Sequence, residues 1–160
     1  TRDRDPAAWA PRVLTAEQLD RLEVLVDTIL PPTDTPGASE AGVPAFVDRL
    51  LADWAESEER ARVLDGLDAL DELSREASGL VFLEAGDDAR IALLSELDAQ
   101  AVRAREAQDD PLPFFATLKE WTLTGYYTSE VGATRELQWL AMPGRWDADV
   151  PLSEVGRTWA

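Results

Sequence analysis

Apolar residues recur at helical spacing in five separate stretches of the chain. The first holds Leu19, Leu22, Val26 and Ile29, widened by Leu25 and Leu30, and it follows Thr15 and Gln18 in a capping-box arrangement. Pro31-Pro32 stops it. A second helix is predicted from about Pro44 to Trp54 on Phe46, Val47, Leu50, Leu51 and Trp54. A third runs from about Ser57 to Ala77 on Val63, Leu64, Leu67, Leu70 and Leu73, with Gly79 ending it. Asp87 or Asp88 caps a fourth, which reaches about Gln108 and uses Ile91, Leu94, Leu97, Ala101 and Val102. The fifth, from about Leu112 to Tyr127, carries Phe114, Phe115, Leu118, Trp121 and Leu123. The repeat is 3.6 rather than the sustained 3.5 of a coiled coil. The expected fold is therefore all-α, a small helical bundle of about five helices.

The segments outside these stripes divide the chain. Residues 1–14 form an extended, proline-punctuated lead-in, residues 15–136 the helical domain, and residues 137–160 a long irregular aromatic C-terminal arm. Between the first two helices lies Pro31–Gly42, rich in Pro, Gly, Thr and Asp, expected as an ordered loop with Gly37 or Gly42 at positive φ. Its oxygen-bearing side chains make calcium conceivable, but the alternating acid spacing of a calcium loop is missing and turn chemistry explains them better. Asp27, one turn before the loop, is either exposed or accepts hydrogen bonds from the loop's N–H groups.

From Thr124 onward the chain has three of the six tryptophans and both tyrosines. A short helical turn fits Ser129 to Leu137, but beyond it Met142-Pro143-Gly144 and Val150-Pro151 force turns or extended chain. An arm this apolar and irregular needs a surface to lie on. We read Tyr126, Tyr127, Trp139, Met142, Arg145, Trp146 and Trp159 as the partner-facing set, since Tyr, Trp, Met and Arg are enriched at interfaces. The alternative is that the arm folds back on its own helices.

Composition narrows the chemistry. The 160 residues include no histidine and no cysteine, which removes the usual imidazole base, the thiolate nucleophile, and nearly every haem, iron–sulfur, zinc or copper ligand set. There is a single lysine, Lys119, and no GxGxxG, GxxxxGK[ST], SxxK or GxSxG arrangement. No catalytic, cofactor-binding or metal site is expected in this chain. The net charge of −17 is concentrated between Asp48 and Asp110, where 18 acids face 7 bases. That acidic body disfavours nucleic acid and anionic lipid as partners. No apolar run approaches ~18 residues, so direct membrane insertion is not expected.

Two stretches resemble a known family. LTAEQLDRLEVLVDTILPPTDTPGASEAGVPAFVDRLL, from Leu14 to Leu51, and FFATLKEWTLTGYYTSEVGATRELQWLAMPGRW, together with the closing PLSEVGRTWA, are similar to the gluconate 2-dehydrogenase subunit 3 family. These are the small or gamma subunits of FAD-dependent sugar and polyol dehydrogenases. The resemblance implies a large partner of the glucose-methanol-choline (GMC) oxidoreductase type that holds the FAD, and a cytochrome c in the wider complex. It also implies a cofactor-free small subunit that supports folding and stability, and twin-arginine (Tat) export of the pair to the periplasm. Since Thr1 is not an initiator Met, the expectation is a trimmed form whose signal has been removed. The rival class is a free-standing helical adaptor, and an enzyme comes third.

Overall fold

The computed structural model describes residues 9–140, 142, 144 and 149–159. Five helices of more than ten residues make up the body: α1 (Ala16–Ile29), α2 (Val43–Asp53), α3 (Ser57–Ser78), α4 (Asp87–Ala107) and α5 (Phe114–Tyr127). A π-helical turn (Gly132–Glu136) and the short α6 (Leu152–Val155) follow. Among the described residues there is no strand, only an isolated parallel bridge between Gln138 and Trp159. The all-α bundle predicted from periodicity is the fold.

The last long helix is the central one. α5 packs against all four of its predecessors, and it buries Phe115, Ala116, Leu118, Trp121, Thr122, Gly125 and Tyr126. Those positions wrap more than one face, as a helix surrounded by others requires. Leu22, Leu25 and Val26 of α1, Val47 and Leu51 of α2, and Val63, Leu67 and Leu70 of α3 complete the core. Close approach depends on two glycines whose missing side chains leave room for aromatic rings. A Cβ on Gly66 would stand 2.1 Å from the Phe114 ring, and one on Gly125 would stand 2.7 Å from Phe46.

Polar side chains tie the helices together at defined points. Thr15 and Gln18 form the reciprocal capping box expected of them, and the same Gln18 amide donates to Asp68 of α3 at 3.0 Å. Asp48 of α2, fully buried, accepts from the backbone N–H groups of Arg12, Val13 and Leu14 at 2.8–3.0 Å. Three such donors replace the water a buried carboxylate would lose. They fasten the end of the lead-in to the bundle, where Leu14 enters the core. Arg12 also forks onto Asp53, and those hydrogen bonds hold the exposed Asp53 carboxyl below its usual range.

The acidic middle is equally specific. Phe82, in the link between α3 and α4, is fully buried. Its N–H donates to Asp71 at 3.1 Å, Arg90 donates to its carbonyl at 3.0 Å, and the Arg90 guanidinium lies 5.9 Å from its ring centre. Asp71 also accepts from Arg21 of α1 at 2.8 Å. Burial alone would raise the Asp71 carboxyl, but the hydrogen bonds from Arg21 and Phe82 and the charge of Arg21 outweigh it and hold it below its ordinary value.

Several sequence expectations need correction. Trp54 is 68% exposed, because it sits just past the end of α2, where the backbone has left helical geometry. Ile91 and Val102 are exposed on α4, whose buried stripe is Leu93, Leu94, Leu97, Ala101 and Ala104. Asp87 and Asp88 do not cap α4; Gly86 holds the N-cap position, and the two acids occupy the first turn, where they favour the helix dipole. Gly79 does end α3, at φ 81°.

Candidate interaction surface

The proline loop is held from below by Asp27. The Ser39 N–H donates to one carboxylate oxygen at 2.8 Å and the Ser39 hydroxyl to the other at 2.5 Å, so of the two readings of Asp27 the loop-fixing one holds. Gly37 packs on this pair: a Cβ there would lie 2.9 Å from Asp27 Oδ1 and from Pro32 Cδ. Gly42, at φ 85°, turns the chain into α2, and its neighbour Val43 donates to the Ala38 carbonyl. The hydroxyl of Thr33 donates to Asp34 and accepts from Thr35 N–H. These are turn interactions. Among the described residues no group of three or more acidic side chains stands close enough to hold a metal ion.

The arm begins on top of that loop. Tyr126 was expected to face a partner, but it is only 3% exposed and its ring belongs to the core. Its hydroxyl donates to the Pro36 carbonyl at 3.0 Å and lies 3.4 Å from the Thr35 hydroxyl. The reason is position: Tyr126 lies on the face of α5 turned toward the loop, while Tyr127, packed edge-on against it, points outward. Thr35 in turn donates to Glu136 at 2.8 Å, across 101 positions of sequence. The π-helical turn carrying Glu136 fits only because residue 132 is glycine; a Cβ there would fall 2.0 Å from the Tyr126 carbonyl oxygen.

Past the turn the arm closes on itself. Gln138 N–H donates to the Thr158 carbonyl at 2.8 Å, and its side-chain amide donates to the carbonyls of Arg157, at 2.9 Å, and of Val155. Arg157 donates back to the Arg135 carbonyl. The two ends of the arm are thus latched side by side, and Trp159 is brought next to the start of the Trp139–Leu140 stretch. Trp139 is 62% exposed, Met142 82% and Trp159 52%; Leu140 and Tyr127 are exposed as well. Arg145 and Trp146 lie outside the described residues. Periodicity could not point to Thr35, Glu136, Gln138 or Arg157, because each acts through a contact distant in sequence.

One further surface combines an aromatic with charge. Trp54 and Pro111 line a cavity with Glu56, Glu58, Glu59, Asp110 and Arg62. Carboxylates therefore stand beside an aromatic here. Its charged lining is four carboxylates and the guanidinium of Arg62.

Comparison with known proteins gives one positive result. No curated protein and no solved structure shows significant similarity to the chain. The family profile of gluconate 2-dehydrogenase subunit 3 matches residues 16–144, which takes in every long helix, the proline loop and the arm root. On that match the chain belongs to the gluconate 2-dehydrogenase subunit 3 family, a family of dehydrogenase-complex subunits.

Proposed function

We propose that this chain is the non-catalytic small subunit of a periplasmic, FAD-dependent sugar or glycoside dehydrogenase, and that its arm docks on the catalytic flavoprotein. The observation that carries the reading is the arm itself. Trp139, Leu140, Met142 and Trp159 are all exposed in a segment latched at both ends by Gln138 and Arg157. Several large apolar groups exposed within one short stretch of chain mark an interaction site rather than a solvated surface. Absence of histidine, cysteine and any dinucleotide fingerprint supports placing the FAD and the oxidation step in a GMC-type partner. A cytochrome c receives the electrons in the wider assembly, and the partner is stabilised and exported together with this subunit.

The test is co-expression with the flavoprotein encoded beside it, for the intact chain and for a chain ending at residue 136. The intact chain is expected to co-purify with a protein showing flavin absorbance; the truncated chain is expected to stay helical and lose the partner. Flavin absorbance in the lone chain, or normal capture by the truncated one, would overturn the proposal. A chain that is stable and binds no flavoprotein would instead be a free-standing adaptor.

A further inference from the structure

The arm does not leave the bundle through a free hinge. From the last turn of α5 to the latch at Gln138, the chain is fastened to the proline loop through Tyr126 and Glu136. Tyr126 donates to Pro36, Thr35 donates to Glu136, and the Tyr126 and Thr35 hydroxyls lie 3.4 Å apart. The loop they fasten to is itself fixed, through Ser39 and Gly37, to Asp27 of α1. A continuous set of contacts therefore runs from the first helix to the base of the arm. None of the three polar groups is needed to fill the apolar core: the Tyr126 ring packs there without calling on its hydroxyl, and Thr35 and Glu136 are only half-buried.

We propose that the Thr35–Tyr126–Glu136 junction sets the arm in its docking position before the partner arrives, making these three positioning residues for the apolar surface beyond. The inference rests on the arm-docking reading above. Its physical content is preorganisation: a segment already ordered in the free subunit loses less conformational freedom on binding, so the same contacts give tighter association. The proline loop is then a bracket for the arm. Its sequence is constrained from two sides, by Asp27 below and by Glu136 above.

The experiment compares the intact chain with the double variant Thr35→Val/Tyr126→Phe and, separately, with Glu136→Gln. Valine matches threonine in shape and phenylalanine keeps the core ring, so the double variant removes the hydroxyls alone. Glutamine retains an acceptor for Thr35. Hydrogen exchange is read at Leu137 and Gln138, whose N–H groups bond to Gly132 and Thr158, and at Leu67 and Leu70 in the core. In the double variant the two arm amides are expected to exchange about tenfold faster while the core amides hold their rates. Affinity for the co-expressed flavoprotein should fall about three- to tenfold. Glu136→Gln should behave like the intact chain in both measurements.

Unchanged arm exchange in the double variant would overturn the proposal, as would faster exchange with undiminished affinity. Accelerated core exchange would also count against it, since the hydroxyls would then be supporting the bundle rather than the arm. If the intact chain itself fails to bind the flavoprotein, the docking reading falls, and the exchange rates alone decide whether the junction orders the arm.

Discussion

The helical body and the arm both carry large apolar side chains, and they treat them in opposite ways. The body encloses Phe82, Leu22, Leu67 and Leu118 completely, whereas the arm leaves Trp139, Met142 and Trp159 open to water. Their polar interactions differ in the same sense. In the body, buried or half-buried side chains such as Asp48, Asp71 and Gln18 bridge elements far apart in sequence. In the arm, Gln138 and Arg157 bond to backbone carbonyls of the arm and its root, and bring Gln138 beside Thr158. The body is stabilised by its own burial; the arm holds a shape and keeps its apolar surface available.

That contrast can be broken first at the body's densest point. Phe82→Ala removes a fully buried ring from the link between α3 and α4 and should cost about 3–5 kcal/mol, read as a large fall in the denaturant midpoint. An effect under ~1 kcal/mol would show that the acidic middle packs more loosely than the structure has it. Asp48→Ala comes next. It leaves three backbone N–H groups without their acceptor and should destabilise by roughly 2–3 kcal/mol, with the amides of Arg12 to Leu14 losing protection against exchange.

Where the proline loop enters α2, Gly42→Val places a β-branched residue at φ 85° and should cost ~1 kcal/mol or more, although the space around it is open. Thermal melts at several denaturant concentrations would give the value. Acid sharpens the comparison further, because Asp71 belongs to the body alone. Its folded carboxyl titrates below the unfolded one, so its contribution is complete above the ordinary value of about 3.9 and is lost as pH falls through the lower folded value. The stability of the intact chain should therefore drop more steeply below about pH 4 than that of Asp71→Asn. Equal slopes would remove Asp71 from the account.

The smallest effect on stability is expected where the largest side chains are exposed. Trp139→Ala and Trp159→Ala should each change the unfolding free energy by no more than about 0.5 kcal/mol. Each should still weaken capture of the flavoprotein by on the order of 2 kcal/mol if it sits at the centre of the interface. A large loss of stability with unchanged capture would invert the comparison and make the arm part of the core.

The sequence by itself determined the five helices, the capping box at Thr15, the glycine stop at Gly79, the ordered proline loop and the family. Each of these is written in local spacing or in a short motif, and local chemistry is enough to produce it. It also excluded histidine and cysteine chemistry outright. What only the tertiary structure decided is which way each ambiguous side chain faces. Ile91 and Val102 share one side of α4, roughly a third of a turn from its buried stripe, and a helix rich in alanine and leucine offers two apolar arcs until neighbours choose one. Tyr126 and Tyr127 are adjacent and chemically identical, yet the proline loop's carbonyl and hydroxyl draw one inward and leave the other at the surface. Phe82, Asp48 and Glu136 stand outside any periodic signal, and their roles depend on partners 11, 34–36 and 101 positions away. Pairings over such separations are set when the helices pack, and no window of local sequence contains both members.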